Sequence, residues 1–188
     1  MSAAGPPQGA RAPSGGSDPH AVGERGGAHI EGNATVLGDD IDTDVIFPGR
    51  YLAVLRPQDQ AQHLFETLGE DLRRRVIAGG VIVGGWNFGC GSSREHAVTA
   101  MLGAGVRLVV AKSFSRIFFR NAVNNGLAVI MSEALASAIR DGDRVEAELQ
   151  AGTCSVAGQP HRFEPLPAEI LSMLVAGGLW ASKTGAAA

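Results

Sequence analysis

The sequence is poor in cysteine. Its 188 residues contain two, Cys90 and Cys154. Two thiols exclude a disulfide framework and fit a reducing compartment, so the expected location is cytoplasmic. They are also too few to hold an iron–sulfur cluster on this chain, because such clusters draw on several thiolates. Charge is scarce as well. Charged residues make up 19% and the net charge is −3, which excludes bulk electrostatic binding to nucleic acid or an anionic membrane surface. No apolar run approaches the ~20 residues of a membrane span. The N-terminal stretch lacks the apolar core of a secretory signal, so none is expected.

Apolar residues, at 45%, suffice for one sizeable core. Residues 1–29 are rich in Gly, Ala, Pro and Ser and are expected to be a disordered tail. The folded domain is expected over residues 30–180, with residues 181–188 frayed. Within it, Ala34–Leu37 reads as a strand. Val45-Ile46-Phe47 reads as a second one, ended by Pro48-Gly49. A helical pattern follows from Pro57 to Ile77, with Gly69 as a possible break. Three short apolar strands then alternate with helices: Val81–Val83, Val106–Ala111 and Leu127–Ile130. The helices between them run over Glu95–Gly103 and Lys112–Asn124, the second capped by Ser113 or Ser115. Strand, helix, strand with short links predicts an α/β fold with a parallel sheet and helical crossovers. Ser132–Ile139 reads as a short helix and Arg144–Leu149 as a half-exposed strand. Thr153–Phe163 reads as a hairpin around Gly158, with Cys154 in the core. Pro165–Leu179 reads as a closing helix with Ile170, Leu171, Leu174 and Val175 facing inward.

Two stretches carry chemistry. Asp39, Asp40, Asp42 and Asp44 crowd four carboxylates into six positions. Such a run is solvated, meets a cation or serves a reaction, and it lacks the glycine and glutamate of a calcium loop. The denser stretch is Gly89-Cys90-Gly91-Ser92-Ser93-Arg94-Glu95-His96, between a strand and a helix start. Backbone N–H groups and the positive helix end favour an anion there. Gly-Lys-Ser/Thr is absent, which excludes a phosphate loop, and Arg94 occupies the third glycine position of a dinucleotide fingerprint. Ser92-Ser93-Arg94-Glu95 also matches a capping box. Cys90, near a helix start that lowers thiol pKa, is a candidate nucleophile. Capping and catalysis both remain open on these residues.

The run from Gly89 to Ala97 resembles the Gly-x-Gly-Ser-Ser-Arg-Glu-His signature of the aconitase superfamily. Ala111–Asn121 resembles that family's next motif, and Asp40–Leu52 is similar to the opening motif of its free-standing small subunits, the isopropylmalate isomerase branch. The resemblance spans about Thr35 to Ile130. It implies a swivelling β/β/α domain that closes over a large partner subunit carrying a [4Fe–4S] cluster on three cysteines, with no metal on this chain. The implied reaction removes water from a 2-hydroxy dicarboxylic acid and restores it at the neighbouring carbon, as in leucine biosynthesis.

On this resemblance Ser92 is the base that takes a proton from carbon and Arg94 holds a substrate carboxylate. Asp44, the better candidate over Asp42, positions a group near the site. Gly91 and Ser93 line the substrate, with Ser93 the better candidate for the helix cap. Lys112 and Arg116 either orient substrate or form ordinary helix-end ion pairs. The segment Tyr51, Leu52, Ala53 and Val54, followed by Leu55, is where the family varies. An apolar loop here suits a branched alkyl group, whose burial contributes roughly 1.5–3 kcal/mol. Arg56 just beyond it leaves a homoaconitate, dimethylmalate or methylcitrate type of substrate open. A non-catalytic module of the same fold and a thiol enzyme acting through Cys90 are the alternative readings.

Overall fold

The computed structural model describes residues 29–179. The expected tails, 1–29 and 181–188, lie outside them but for His29. A seven-stranded mixed sheet in the order β4-β3-β2-β1-β5-β6-β7 forms the centre. Its strands are β1 (His29–Val36), β2 (Gly80–Gly84), β3 (Leu108–Ala111), β4 (Ala128–Met131), β5 (Arg144–Glu148), β6 (Thr153–Val156) and β7 (Gln159–Arg162). Strands β1 to β4 pair in parallel, whereas β1–β5, β5–β6 and β6–β7 pair antiparallel.

The two pairings follow from the sequence patterns. Strand β3 is buried at every position and β2 at all but its first residue, as strands covered on both faces must be. Ile82, Val109 and Val129 face one core, packed by helices α4 (His96–Gly103) and α5 (Arg116–Asn124). Val81, Val83, Leu108, Val110 and Ile130 face a second core. That core also takes Val145, Ala147, Cys154 and Val156 of the antiparallel arm, together with Leu135 of α6 (Glu133–Ala138). The arm thus closes over the back of the parallel strands and completes the β/β/α layering. Each fully buried branched side chain contributes roughly 1.5–3 kcal/mol.

Several local expectations change. Val45-Ile46-Phe47 is not a strand; Thr43–Ile46 forms the single-turn helix α1. The Asp42 side chain accepts from Asp44 N, and Phe47 N donates to Thr43 O, so the aspartate cap outweighs β-branched propensity. The long helix from Pro57 is split into α2 (Pro57–Gln60), two 3₁₀ turns and α3 (Glu70–Gly79), divided at Gly69 with φ +94°. Ser115 is the cap of α5, accepting from Phe118 N. Helix α7 (Ala168–Val175) turns Ile170, Leu171 and Leu174 towards the cores, but Val175 is 62% exposed. Among the described residues no helix is long and apolar enough to cross a membrane.

Candidate active site

The loops that leave the carboxyl ends of β1, β2 and β3 meet at one edge of the sheet, the usual place for a site in a parallel α/β arrangement. They are stitched by main-chain bonds. Gly85 N donates to Gly38 O, Gly89 N to Ile41 O and Thr43 N to Cys90 O, each at 2.8–3.0 Å. On the other side Phe88 N donates to Ser113 O and Ser115 N to Phe88 O. The aspartate run and the glycine-rich turn, about fifty positions apart in sequence, thereby become neighbours.

The turn needs glycine at two places. Gly89 has φ +74° and its missing Cβ leaves room for the Phe118 ring. Gly91 has φ +91°, and a Cβ there would lie 2.4 Å from the Asp42 carboxylate. The aspartates are each engaged. Asp39 Oδ1 accepts from Trp86 N at 2.7 Å, Asp40 Oδ1 from Asn87 Nδ2 at 2.9 Å, and Asp42 Oδ1 from Asp44 N at 2.7 Å. Asp39 and Asp40 are thus met by donors from the facing turn, and Asp42 by a donor of its own segment.

Asp44 reaches across to Arg94. The guanidinium donates through Nη1 to Asp44 Oδ1 and through Nη2 to Oδ2 at 3.0 Å, and Nη1 also donates to Phe47 O at 3.1 Å. The hydrogen bond from Arg94 holds the Asp44 carboxyl below its usual range; it outweighs the opposing effect of burial and is helped by the Gly49 N–H. Asp44 remains an exposed anion, while the Arg94 side chain is 15% exposed. Two of the five guanidinium N–H groups have no partner among the described residues, so Arg94 is aimed but not saturated.

Ser92 and Ser93 are exposed beside it. The capping box is not formed. Helix α4 starts at His96, and Glu95, at its N-cap, makes no side-chain cap. The Glu95 carboxylate accepts from Asn125 Nδ2 at 2.9 Å instead, and Arg94 N closes a tight turn onto Ser92 O at 2.8 Å. Ser93 is therefore not the cap, and both hydroxyls are left for other work. The Ser92 hydroxyl lies 3.4 Å from Thr43 Oγ1, a contact that sequence reading missed because Thr43 lies between two aspartates that drew attention first. Cys90 departs from expectation: burial first, then the charges of Asp42 and Asp40, push its thiol up, which opposes nucleophilic use at neutral pH. Cys154, 3% exposed, is pushed up to about 11 by burial.

The variable loop is held at both ends. Tyr51 stacks on His63 with centroids 3.6 Å apart, lies under the Arg50 guanidinium and donates to Glu66 Oε1 at 3.2 Å. Gln60, 2% exposed, donates to Val54 O at 2.9 Å and accepts from Thr99 Oγ1 of α4 at 2.6 Å. Gln60 was also missed; a glutamine in a polar helix gives no sign of burial. Between the anchors Leu52, Ala53 and Leu55 are exposed. Arg50 pairs with Glu66 and Arg56 with Asp59. Lys112 Nζ sits 5.9 Å over the half-exposed Trp86 ring, and Arg116 is exposed at the first turn of α5, a position where the helix dipole disfavours a cation.

Residues 41–134 match the family described as Aconitase C-terminal domain. The 3-isopropylmalate dehydratase small subunit 1 of Methanopyrus kandleri is 45% identical over 152 residues, covering 80% of this chain and 89% of that one. The isopropylmalate/citramalate isomerase small subunit of Methanocaldococcus jannaschii is 41% identical over 152 residues, covering 80% and 90%. A crystal structure of 3-isopropylmalate dehydratase from Methanocaldococcus jannaschii superposes with a TM-score of 0.77 at 41% identity, covering 84% of this chain and 94% of that one. With the turn, its aspartate partner and the sheet order all in place, the chain belongs to the family of the aconitase C-terminal domain, in its branch of dehydratase small subunits.

Proposed function

We propose that this chain is the small subunit of a two-subunit hydro-lyase that interconverts 2-isopropylmalate and 3-isopropylmalate by dehydration and rehydration. The observation that carries the reading is the exposed Ser92 hydroxyl beside an Arg94 held by Asp44 with two N–H groups to spare. Those two groups take a substrate carboxylate. Its binding fixes the neighbouring C–H bond against Ser92. Ser92, as its alkoxide, takes the proton and becomes the hydroxyl, and the same proton is returned at the neighbouring carbon on rehydration. A serine oxygen is a usable base only where its negative charge is stabilised, so donors around it matter as much as the serine itself.

Cys90 and Cys154 do not fit a cluster. They stand on different elements with raised pKa values, and no group of three metal-ligating side chains occurs among the described residues. A [4Fe–4S] cluster belongs on the large subunit in this reading, where it supplies Lewis-acid help to the departing hydroxyl. Support for an alkyl-bearing substrate comes from the loop. Its nearest cations, Arg50 and Arg56, are each paired with a carboxylate, leaving Leu52, Ala53 and Leu55 to present an apolar surface. A substrate with a third carboxylate, such as homoaconitate, finds no free cation there. Citramalate, which the Methanocaldococcus jannaschii relative's name includes, carries a smaller alkyl group and is the natural second substrate to assay.

The test is reconstitution with the large subunit and assay of isopropylmalate, citramalate and homoaconitate. Ser92→Ala is expected to lower turnover by about 10²- to 10⁴-fold with the complex intact. Near-normal turnover would remove Ser92 from the mechanism.

A further inference from the structure

Ser92 needs a hydrogen-bond donor, and the fold supplies one that its motif does not contain. Thr43, the first residue of α1, is 1% exposed. Its backbone is fixed on both sides: Thr43 N donates to Cys90 O at 2.8 Å and Thr43 O accepts from Phe47 N at 2.9 Å. Its hydroxyl is 3.3 Å from Ser92 O and 3.4 Å from Ser92 Oγ. Among the described residues no other side chain hydrogen-bonds the Ser92 hydroxyl. A buried hydroxyl with two long, competing acceptors is not committed to either. Such contacts shorten when one acceptor becomes an anion, as apo catalytic contacts commonly do.

We propose that Thr43 is the stabilising donor for the Ser92 alkoxide. With Ser92 protonated, the Thr43 O–H points to Ser92 O. When Ser92 Oγ carries negative charge, the same O–H rotates to it, a turn about one bond with the oxygen already in place. This lowers the cost of the anion without any reorganisation of the backbone, which is where preorganised donors gain their effect. Arg94 has a different task on the substrate, and Asp42 and Asp44 can only accept. The inference rests on Ser92 being the base.

The experiment uses the reconstituted two-subunit enzyme with Thr43→Val and Thr43→Ser. Valine keeps the shape and removes the donor; serine keeps the donor. Thr43→Val is expected to lower kcat on the order of 10²-fold with KM little changed. It should move the alkaline-side rise of the kcat–pH profile to higher pH and enlarge the isotope effect for substrate deuterated at the abstracted position. Thr43→Ser should recover most of kcat and the wild-type profile. A Thr43→Val enzyme with wild-type kcat and pH profile would overturn the proposal. So would equal losses of turnover and of subunit assembly in both variants, because that marks a packing role. If the wild-type complex turns over substrate but Ser92→Ala does too, the underlying assignment of the base has failed instead, and the two failures are told apart by that control.

Discussion

The two halves of the sheet share β1 and differ in almost everything else. On the parallel side, β1 to β4 all emerge at the same edge, so their loops converge and bring Thr43, Asp44, Ser92 and Arg94 together. On the antiparallel side, successive strands end at opposite edges, and the exposed face carries separate surface pairs. Arg144 meets Glu31 at 2.7 Å and Glu146 at 2.8 Å, and His29 meets Glu148 at 2.7 Å. Charged groups are plentiful in both halves. What distinguishes the site is topology, which focuses side chains from distant segments at one edge and disperses them at the other.

Substitutions can break or sharpen that contrast. The largest effect after loss of the base or its donor is expected from Asp44→Asn. Removing the charge frees the Arg94 fork, at about 1.5–3 kcal/mol, or roughly tenfold to a hundredfold in kcat/KM. Steady-state kinetics of the reconstituted enzyme check this. The Asp44 carboxyl is held below its ordinary value, so the pair is intact at neutral pH and is lost only as pH falls through that lowered value. A pH–activity profile should therefore show no limb from Asp44 above pH ~5.

Next comes a pair of glycine substitutions, one in each half. Gly91→Ala forces a Cβ against the Asp42 carboxylate at positive φ. It is expected to cost about 1–3 kcal/mol in denaturant unfolding and to reduce turnover, since Ser92 is the next residue. Gly158→Ala has φ +82° but open space around it. Its expected cost is about 1 kcal/mol, with turnover unchanged. Equal effects on activity would contradict the view that only the parallel edge carries the chemistry. The smallest effect is expected from Arg144→Ala on the antiparallel face, where exposed ion pairs contribute little. Thermal melts and turnover close to wild type are the outcome to look for.

Much of the fold was legible in the sequence. The all-apolar runs of β2 and β3 identified buried parallel strands, and alternation along Arg144–Glu148 identified a half-exposed one. Gly69 interrupted a helical pattern where the chain does turn with positive φ. The misreadings cluster at the site. Val45-Ile46-Phe47 has strand composition but winds into α1 under the Asp42 cap. Ser92-Ser93-Arg94-Glu95 has capping-box composition, yet Glu95 is taken by Asn125. In the first place a neighbouring cap, worth about 1 kcal/mol, overrode strand composition; in the second a bond to another segment took the residue the local pattern needed.

By itself, the sequence determined the types of its elements and the inventory of reactive groups. It did so because burial periodicity and turn chemistry act over a few neighbouring residues. Only the tertiary structure decided how those groups are shared out. It pairs Asp44 with Arg94, sets Thr43 against Ser92, and places the half-buried Cys90 beside two aspartates. These relations span about fifty positions and depend on backbone bonds between two loops. Charge, burial and distance across such a gap are properties of the folded edge, and no local pattern encodes them.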